Sequence, residues 1–560
     1  MESMFYGCNA LESLNNLPKF NTERVNNMAN MFAYCQKLTS IDLSKFNTQR
    51  CETMAYMFRS CTSLISLDLS AFNTRQVKDM NSMFYTSSNL EKVDVSSFDT
   101  KQVTDMSYMF ESLNKVEIID VSNFETPKVT KMNNMFSECS SVKKLDVSKF
   151  NTAKVNDMSF MFSGCINLES LNVSNFDTSL VTNMNFMFER CEKIQSLDVS
   201  NFNTDRVIKM LYMFSGCSSL RRLNLINFKT SKVNEMSNLF KNCMSLSSLD
   251  ISNFNTENID NMNSIFYNCK SLTSIDISSF DTKKCEDMAK MFWGCEKLQK
   301  LDLSNFDTNM VKSMNNMFEN CYQLSSLIIS NFNTKTVSVM ANMFTNCTSL
   351  TSLDLNNFNT GEARTMSHLF ENCYNLKYLN VKSFQTTQVL DMSYMFYNCT
   401  SLTSLDTSNF VTSTCSTMYK MFENCKSLKS LEFTNIDTEN TRSMSYMFSG
   451  CESLEKLDLT YFHTIRVIDM SYMFNDCTNL KEIKLNNNFV TDFVTNMKFM
   501  FAYCPNLEYL NLQSFNTEKC NSFESMFEEF GNLTISINKD KCKNMLDNIP
   551  SEINIKETLF

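Results

Sequence analysis

The chain has 560 residues, 43% of them hydrophobic and 20% charged, with a formal net charge of -10. That balance excludes a disordered chain, and the mild acidity argues against a nucleic-acid binder, which needs a basic stripe. No apolar run approaches the ~18–20 residues that span a bilayer.

One phrase recurs from end to end. Residues 288–308 read MAKMFWGCEKLQKLDLSNFDT, and the Phe of this phrase returns every 26 residues from Phe32 to Phe474. The unit is Leu-Asp-Leu-Ser-x-Phe-Asn-Thr-x-x-Val-x-x-Met-x-x-Met-Phe-x-x-Cys-x-x-Leu-x-x, numbered as positions 1 to 26 from the Leu before Asp. A fixed period of this length marks a stack of copies that needs neighbours on both sides, so 560 residues do not imply several separate cores. The expected organisation is one repeat solenoid over 1–530 and a capping segment over 531–560, where the pattern fades. LTISIN in that tail reads as a last strand. Met1 and Met4 already occupy the two Met positions, so the chain is entered in the middle of a unit, which reads as truncation at that end.

Leu-x-x-Leu-x-Leu is the strand signature of leucine-rich repeats. Leu at positions 1 and 3 points inward and position 2 outward. Val at 11, Met at 14, Phe at 18 and Cys at 21 are spaced three or four apart, which fits a helical turn with one buried side. Each unit is therefore expected to hold a short parallel strand, a polar corner, a second extended piece near position 11 and a helical turn over positions 14 to 21. The alternative is one helix over positions 10 to 20. About twenty such units form an α/β repeat solenoid.

The core accounts for the composition. Of 48 Phe, 21 stand at position 18 and 19 at position 6, and 38 of 41 Met stand at positions 14 and 17. Each buried Phe or Met contributes roughly 1.5–3 kcal/mol. With few Gly and Pro, the corners rest on Asn, Asp, Ser and Thr.

Candidate chemistry is sparse. Of the 23 cysteines, 18 stand at position 21, and Cys51, Cys285, Cys415 and Cys520 replace Val at position 11. Residues that exchange with Val are small buried hydrophobes, and no Cys-x-x-Cys spacing points to zinc. The Asp column at position 2 is the clearest surface feature, with Asp42, Asp68, Asp94, Asp120 and Asp146 as a candidate binding face. Stacked carboxylates repel, so they need an offset: calcium between neighbours such as Asp250, Asp276 and Asp302, or lysines at position 26 such as Lys92 and Lys144. The Thr column at position 8 fits an ice- or polymer-binding ladder, or hydrogen bonding within a corner. His368 and His463 are the only histidines, so histidine-based catalysis has little to work with. Trp293 is the one large outlier and a candidate contact, as are Ile328 and Lys484 at position 2. No catalytic residue and no cofactor is expected.

LDLSNFDT at 301–308, VTDMSYMF at 103–110 and the Cys-x-x-Leu after such strings resemble the BspA-like leucine-rich repeat surface proteins, within them the Met-Phe-rich repeat of mycoplasma-type lipoproteins. The resemblance covers residues 1 to about 530. It implies a non-enzymatic solenoid at a cell surface or secreted, engaged in adhesion or host contact through protein or glycan partners. The alternative is a structural spacer with no ligand of its own. A binder is expected to show a local patch on positions 2, 5, 25 and 26 that breaks the column rule, and a spacer uniform faces.

Overall fold

The structure, a computed structural model, describes residues 1–14 and 20–557. It forms two compact units, Met1–Lys284 and Cys285–Phe560. Each is a parallel β-solenoid whose coils repeat the 26-residue unit.

In the first unit two-residue strands run from Ser13–Leu14, Ser40–Ile41 and Ser66–Leu67 to Ser196–Leu197 and Arg222–Leu223, paired in parallel and in register with the equivalent residue one coil on. Position 26 is exposed and position 1 turned inward, the alternation that a strand requires. In the second unit the strands lengthen to three residues, Lys300–Asp302 through Glu482–Lys484, and then to four at Tyr509–Leu512 and Thr534–Ile537. LTISIN thus holds the expected strand. Beyond it, Asn554–Glu557 pairs in parallel with Thr534–Ile537. Residues 558–560 of the expected cap lie outside the described residues.

The extended piece near position 11 is also present. Position 13 bridges to position 13 of the next coil, as Asn27 to Thr53 and Asp287 to Ser313. Position 12 donates to the position-12 carbonyl of the coil before it, as Lys78 N–H to Glu52 O at 2.8 Å.

The helical turn over positions 14 to 21 is not there, nor is a helix over 10 to 20. Among the described residues the one α-helix is the four-residue Lys543–Leu546. Two features exclude a helix in the coil. Positions 16 and 20 are left-handed, as at Asn30 (φ 57°) and Tyr34 (φ 62°), and again at Asn342 (φ 59°) and Asn346 (φ 60°). Alternate N–H groups also leave the segment: Met28, Asn30, Phe32 and Tyr34 donate to the carbonyls of Thr53, Ala55, Met57 and Arg59 in the next coil. Bonds of the i→i+3 kind, Met31 N–H to Met28 O and Cys35 N–H to Phe32 O, close successive turns with a left-handed third residue. Successive turns of this kind bring Met, Phe and Cys back to the same side every three or four residues, which is why they imitate helical spacing.

The core is formed by the columns. Rings at position 18 stack without a break from Phe5 to Phe266 in the first unit, with centroids 5.5–6.0 Å apart. In the second unit they stack from Phe292 to Phe527, 5.2–5.9 Å apart. Offset parallel rings at this distance add to the hydrophobic term. Corners are held by side-chain acceptors: Asp42 Oδ1 takes Ser44 N–H, Asn47 Oδ1 takes Gln49 N–H, and Asp79 Oδ1 takes Asn81 N–H.

The Thr column differs from both expectations. Its hydroxyls are buried and bond across coils, not within the corner. Thr48 Oγ1 donates to Asn73 O at 3.0 Å and accepts Asn73 N–H at 2.7 Å. A buried hydroxyl cannot meet ice or a polymer, and it satisfies two backbone groups that the corner leaves open.

Candidate binding faces

Two ladders run along the coils. The strand ladder exposes positions 25, 26 and 2, and the turn ladder holds positions 15, 16, 19 and 20 mostly half-buried or buried, while corner positions such as 9, 10 and 12 are mostly exposed.

On the strand ladder, Asp42, Asp68, Asp94, Asp120 and Asp146 form one exposed column in the first unit. Each carboxylate is committed to its own turn, with Oδ1 accepting the N–H of the residue two on. Those serine N–H and hydroxyl bonds hold Asp42, Asp68, Asp94 and Asp146 below the ordinary carboxylate pKa. Asp250 and Asp276 in the first unit, and Asp302 in the second, are held down by the same local bonds. Among the described residues no group of three His, Cys, Asp or Glu is placed to hold a metal ion.

Lysine–acid pairing between coils is a real offset, but it sits elsewhere than at position 2. Lys78 meets Glu52 at 2.7 Å and Lys143 meets Glu117 at 3.1 Å, at positions 12 and 25.

Trp293 lies half-buried at position 19 of the turn ladder in the second unit, beside left-handed Gly294, and so in a different column from the aspartates. Ile328 and Lys484 are exposed on the strand ladder of that unit, in separate coils. The sequence-derived candidates therefore do not converge on one site. His368 stacks on Tyr394 at 4.6 Å and lies 2.5 Å from Glu371, while His463 lies 3.7 Å from Asp437.

Two features were not picked out from the sequence. The turn ladder carries cations among tyrosines. The Lys420 ammonium stands 4.6–5.8 Å from the ring centroids of Tyr394, Tyr397, Tyr419 and Tyr446, and 3.1 Å from Glu423. The Arg59 guanidinium stands 4.9–5.4 Å from Tyr34, Tyr56 and Tyr85. Both cations are held by their own rings, so these clusters stabilise the ladder. The second feature is a set of exposed apolar side chains on the strand ladder, Ile65 (51%) and Ile118 (75%) in the first unit and Tyr378 (56%) in the second, which join Ile328, already singled out by its position. Position 26 is otherwise Ser, Lys or Arg throughout the first unit, so Ile118 was legible as an exception.

The cysteines line the core. Cys165 Sγ donates to Phe136 O at 3.2 Å, and burial pushes its thiol up to about 12. Ser87, standing in the same column, makes the equivalent bond to Phe58 O at 2.6 Å.

Parallel coils with Leu-x-Leu strands, a Phe column stacked within each unit and inter-coil ladders define a leucine-rich-repeat-type solenoid. The chain belongs to the family described as "Mycoplasma protein of unknown function, DUF285", which matches residues 1–118, 62–145, 137–227, 220–328, 294–410, 395–487 and 443–551. Similar solved structures include a leucine rich cell surface protein from Faecalibacterium prausnitzii A2-165 (14% identity, 54% of this chain and 84% of that one, TM-score 0.30). A leucine-rich repeat protein from Bacteroides ovatus is 13% identical over 77% of this chain and 88% of that one, TM-score 0.30. The functional domain of InlJ from Listeria monocytogenes is 14% identical over 75% and 66%, TM-score 0.20. Scores this low carry no argument about function. No functionally curated protein matches the chain.

Proposed function

We propose that this chain is a non-catalytic binding solenoid of a cell surface, presenting its strand ladder to a protein or glycan partner. The observation that carries the reading is the break in the column rule. A spacer needs only uniform faces, and most coils have them, with Ser, Lys and Asp at positions 26 and 2. Ile65, Ile118, Ile328 and Tyr378 stand out from that background as exposed apolar side chains. Membership of a repeat family that resembles lipoprotein repeats supports the surface location. Among the described residues no helix is long and apolar enough to cross a membrane. The absence of catalysis is part of the proposal. It is supported by a histidine pair lying in separate coils and by carboxylates committed to their own turns.

The test is a screen of the purified chain against extracellular-matrix proteins and glycans, with and without calcium. Saturable binding to one class supports the reading. Uniform failure favours the spacer. Binding that appears only with calcium, and is lost on Asp250→Asn with Asp276→Asn, assigns the ion to the Asp column.

A further inference from the structure

Ile118 is the most exposed large hydrophobic side chain among those described, and it lines a groove of about 720 Å³ on the strand ladder of the first unit. Val93, one coil before, lines the same groove. Ile65 is exposed at position 25 in the coil before that.

Acidic and basic side chains both line the groove around this aliphatic residue. Asp94 and Asp120 line the groove at position 2, past Ile118 in the direction of the coil. Lys92 and Lys115 line it at positions 26 and 23, level with Ile118 or before it. Glu91 and Glu117 line the groove as well, so acids outnumber lysines there; Glu117 pairs with Lys143 of the next coil at 3.1 Å, while among the described residues Asp94, Asp120, Lys92 and Lys115 form no ion pair. The two aspartates make hydrogen bonds only through Oδ1, to Ser96 and to Ser122. Both residues are exposed, and among the described residues their second oxygens accept no hydrogen bond.

We propose that this groove docks an extended polypeptide segment in which an aliphatic side chain is flanked by lysine or arginine. The aliphatic residue seats against Ile118, above the buried Val93, and the basic neighbour meets Asp94 and Asp120. An apolar contact ringed by complementary charge is the usual plan of a small recognition surface. A peptide fits better than a glycan because no aromatic ring lines the groove. A sugar ring packs on an aromatic face, while a branched aliphatic floor matches a branched aliphatic side chain. The proposal rests on the binding reading above and narrows it to one place and one chemistry.

The full chain is tested against immobilised peptides with the cores Lys-Ile-Lys, Glu-Ile-Glu and Lys-Ser-Lys. Expected is at least tenfold stronger binding of Lys-Ile-Lys, falling with salt, and a tenfold loss on Ile118→Ser and separately on Asp94→Asn with Asp120→Asn. Ile118 is exposed, so its serine variant retains the wild-type melting temperature, and the aspartate pair serves as an independent check. Equal binding of the three peptides, or binding unchanged in both variants, overturns the proposal. So does a neutral glycan, and no peptide, whose binding is lost on Ile118→Ser. A matrix protein from the wider screen that binds the Ile118→Ser variant as well as wild type sinks this groove while leaving the binding function standing.

Discussion

The inter-coil threonine bond makes a sharp test of the stacking account. Thr230 is buried, its Oγ1 accepts Asn255 N–H at 2.7 Å, and it donates to Asn255 O at 2.7 Å. Thr230→Val keeps the shape and removes the hydroxyl, stranding a part-buried donor and acceptor on the next coil. Each such group costs ~1–3 kcal/mol when left unmet. With water reaching part of the site, the total is about 2–4 kcal/mol. Thr230→Ser keeps both bonds and removes one buried methyl, at about 1 kcal/mol. In a stack the damage is local, because a coil touches only its neighbours. The assay is therefore hydrogen exchange of the Asn255 amide in native conditions, alongside denaturant melts. Loss of roughly 3 kcal/mol corresponds to exchange faster by about a hundredfold, for Val and not for Ser. If Val exchanges like wild type, or Ser is the more damaging change, the threonine column does not tie the coils together.

Glu111 predicts a pH effect. Burial, then the charge of Glu138, pushes its carboxyl up to about 7, and its Oε2 is buried without a partner. The folded state holds that proton more tightly than the unfolded one. Stability from this group is therefore full below about pH 4.5 and falls as pH rises to about 7. The interval from 4.5 to about 7 bounds the loss near 3 kcal/mol, and solvent screening of a part-exposed group reduces it to about 1–2 kcal/mol. Glu111→Gln should flatten that slope in melting temperatures taken from pH 5 to 8; an unchanged slope refutes the assignment. Asn372 is left-handed (φ 58°) and sits in an amide ladder, donating to Asn346 Oδ1 at 2.8 Å and accepting from Asn398 at 2.7 Å. Asn372→Val should cost about 2–4 kcal/mol in denaturant melts and Asn372→Gly clearly less, since only the former strains the backbone. The cysteines are buried apart from half-buried Cys8, so iodoacetamide at pH 8 should label no more than Cys8 until denaturant is added.

The side-chain columns were readable because burial repeats with the coil. Phe at positions 6 and 18, Met at 14 and 17 and Cys at 21 each had to share one environment, and beyond the start of the chain, where Met4 is exposed and Cys8 half-buried, they do. The turn ladder was misread because spacing of three and four arises from consecutive turns as well as from a helix. A signal against the helix was present at position 20. Gly7, Gly164, Gly216, Gly294 and Gly450 account for five of the seven glycines, and seven more copies carry Asn there. Gly and Asn recurring at one place inside an apparent helix mark a left-handed residue. The threonine bonds were not readable, because each partner lies 25 residues further along the chain and no local spacing reports it.

Exceptions to the columns fall into two kinds, and the difference bears on function. Ser87 and Leu113 replace Cys, Leu239 replaces Met and Ile436 replaces Phe, and all four are buried. These changes keep the column apolar, or, at Ser87, keep its hydrogen bond, so packing explains them. Ile118 replaces Ser, Lys or Arg at an exposed place where packing exerts no demand. Backbone bonds to both neighbours already hold that coil, as Thr104 N–H to Lys78 O at 2.8 Å and Thr130 N–H to Thr104 O at 2.9 Å show. Isoleucine there stabilises nothing within the stack and leaves apolar area in water, a cost recovered only when another surface covers it. Exposed exceptions, more than the regular Asp column, are therefore where a partner is to be sought.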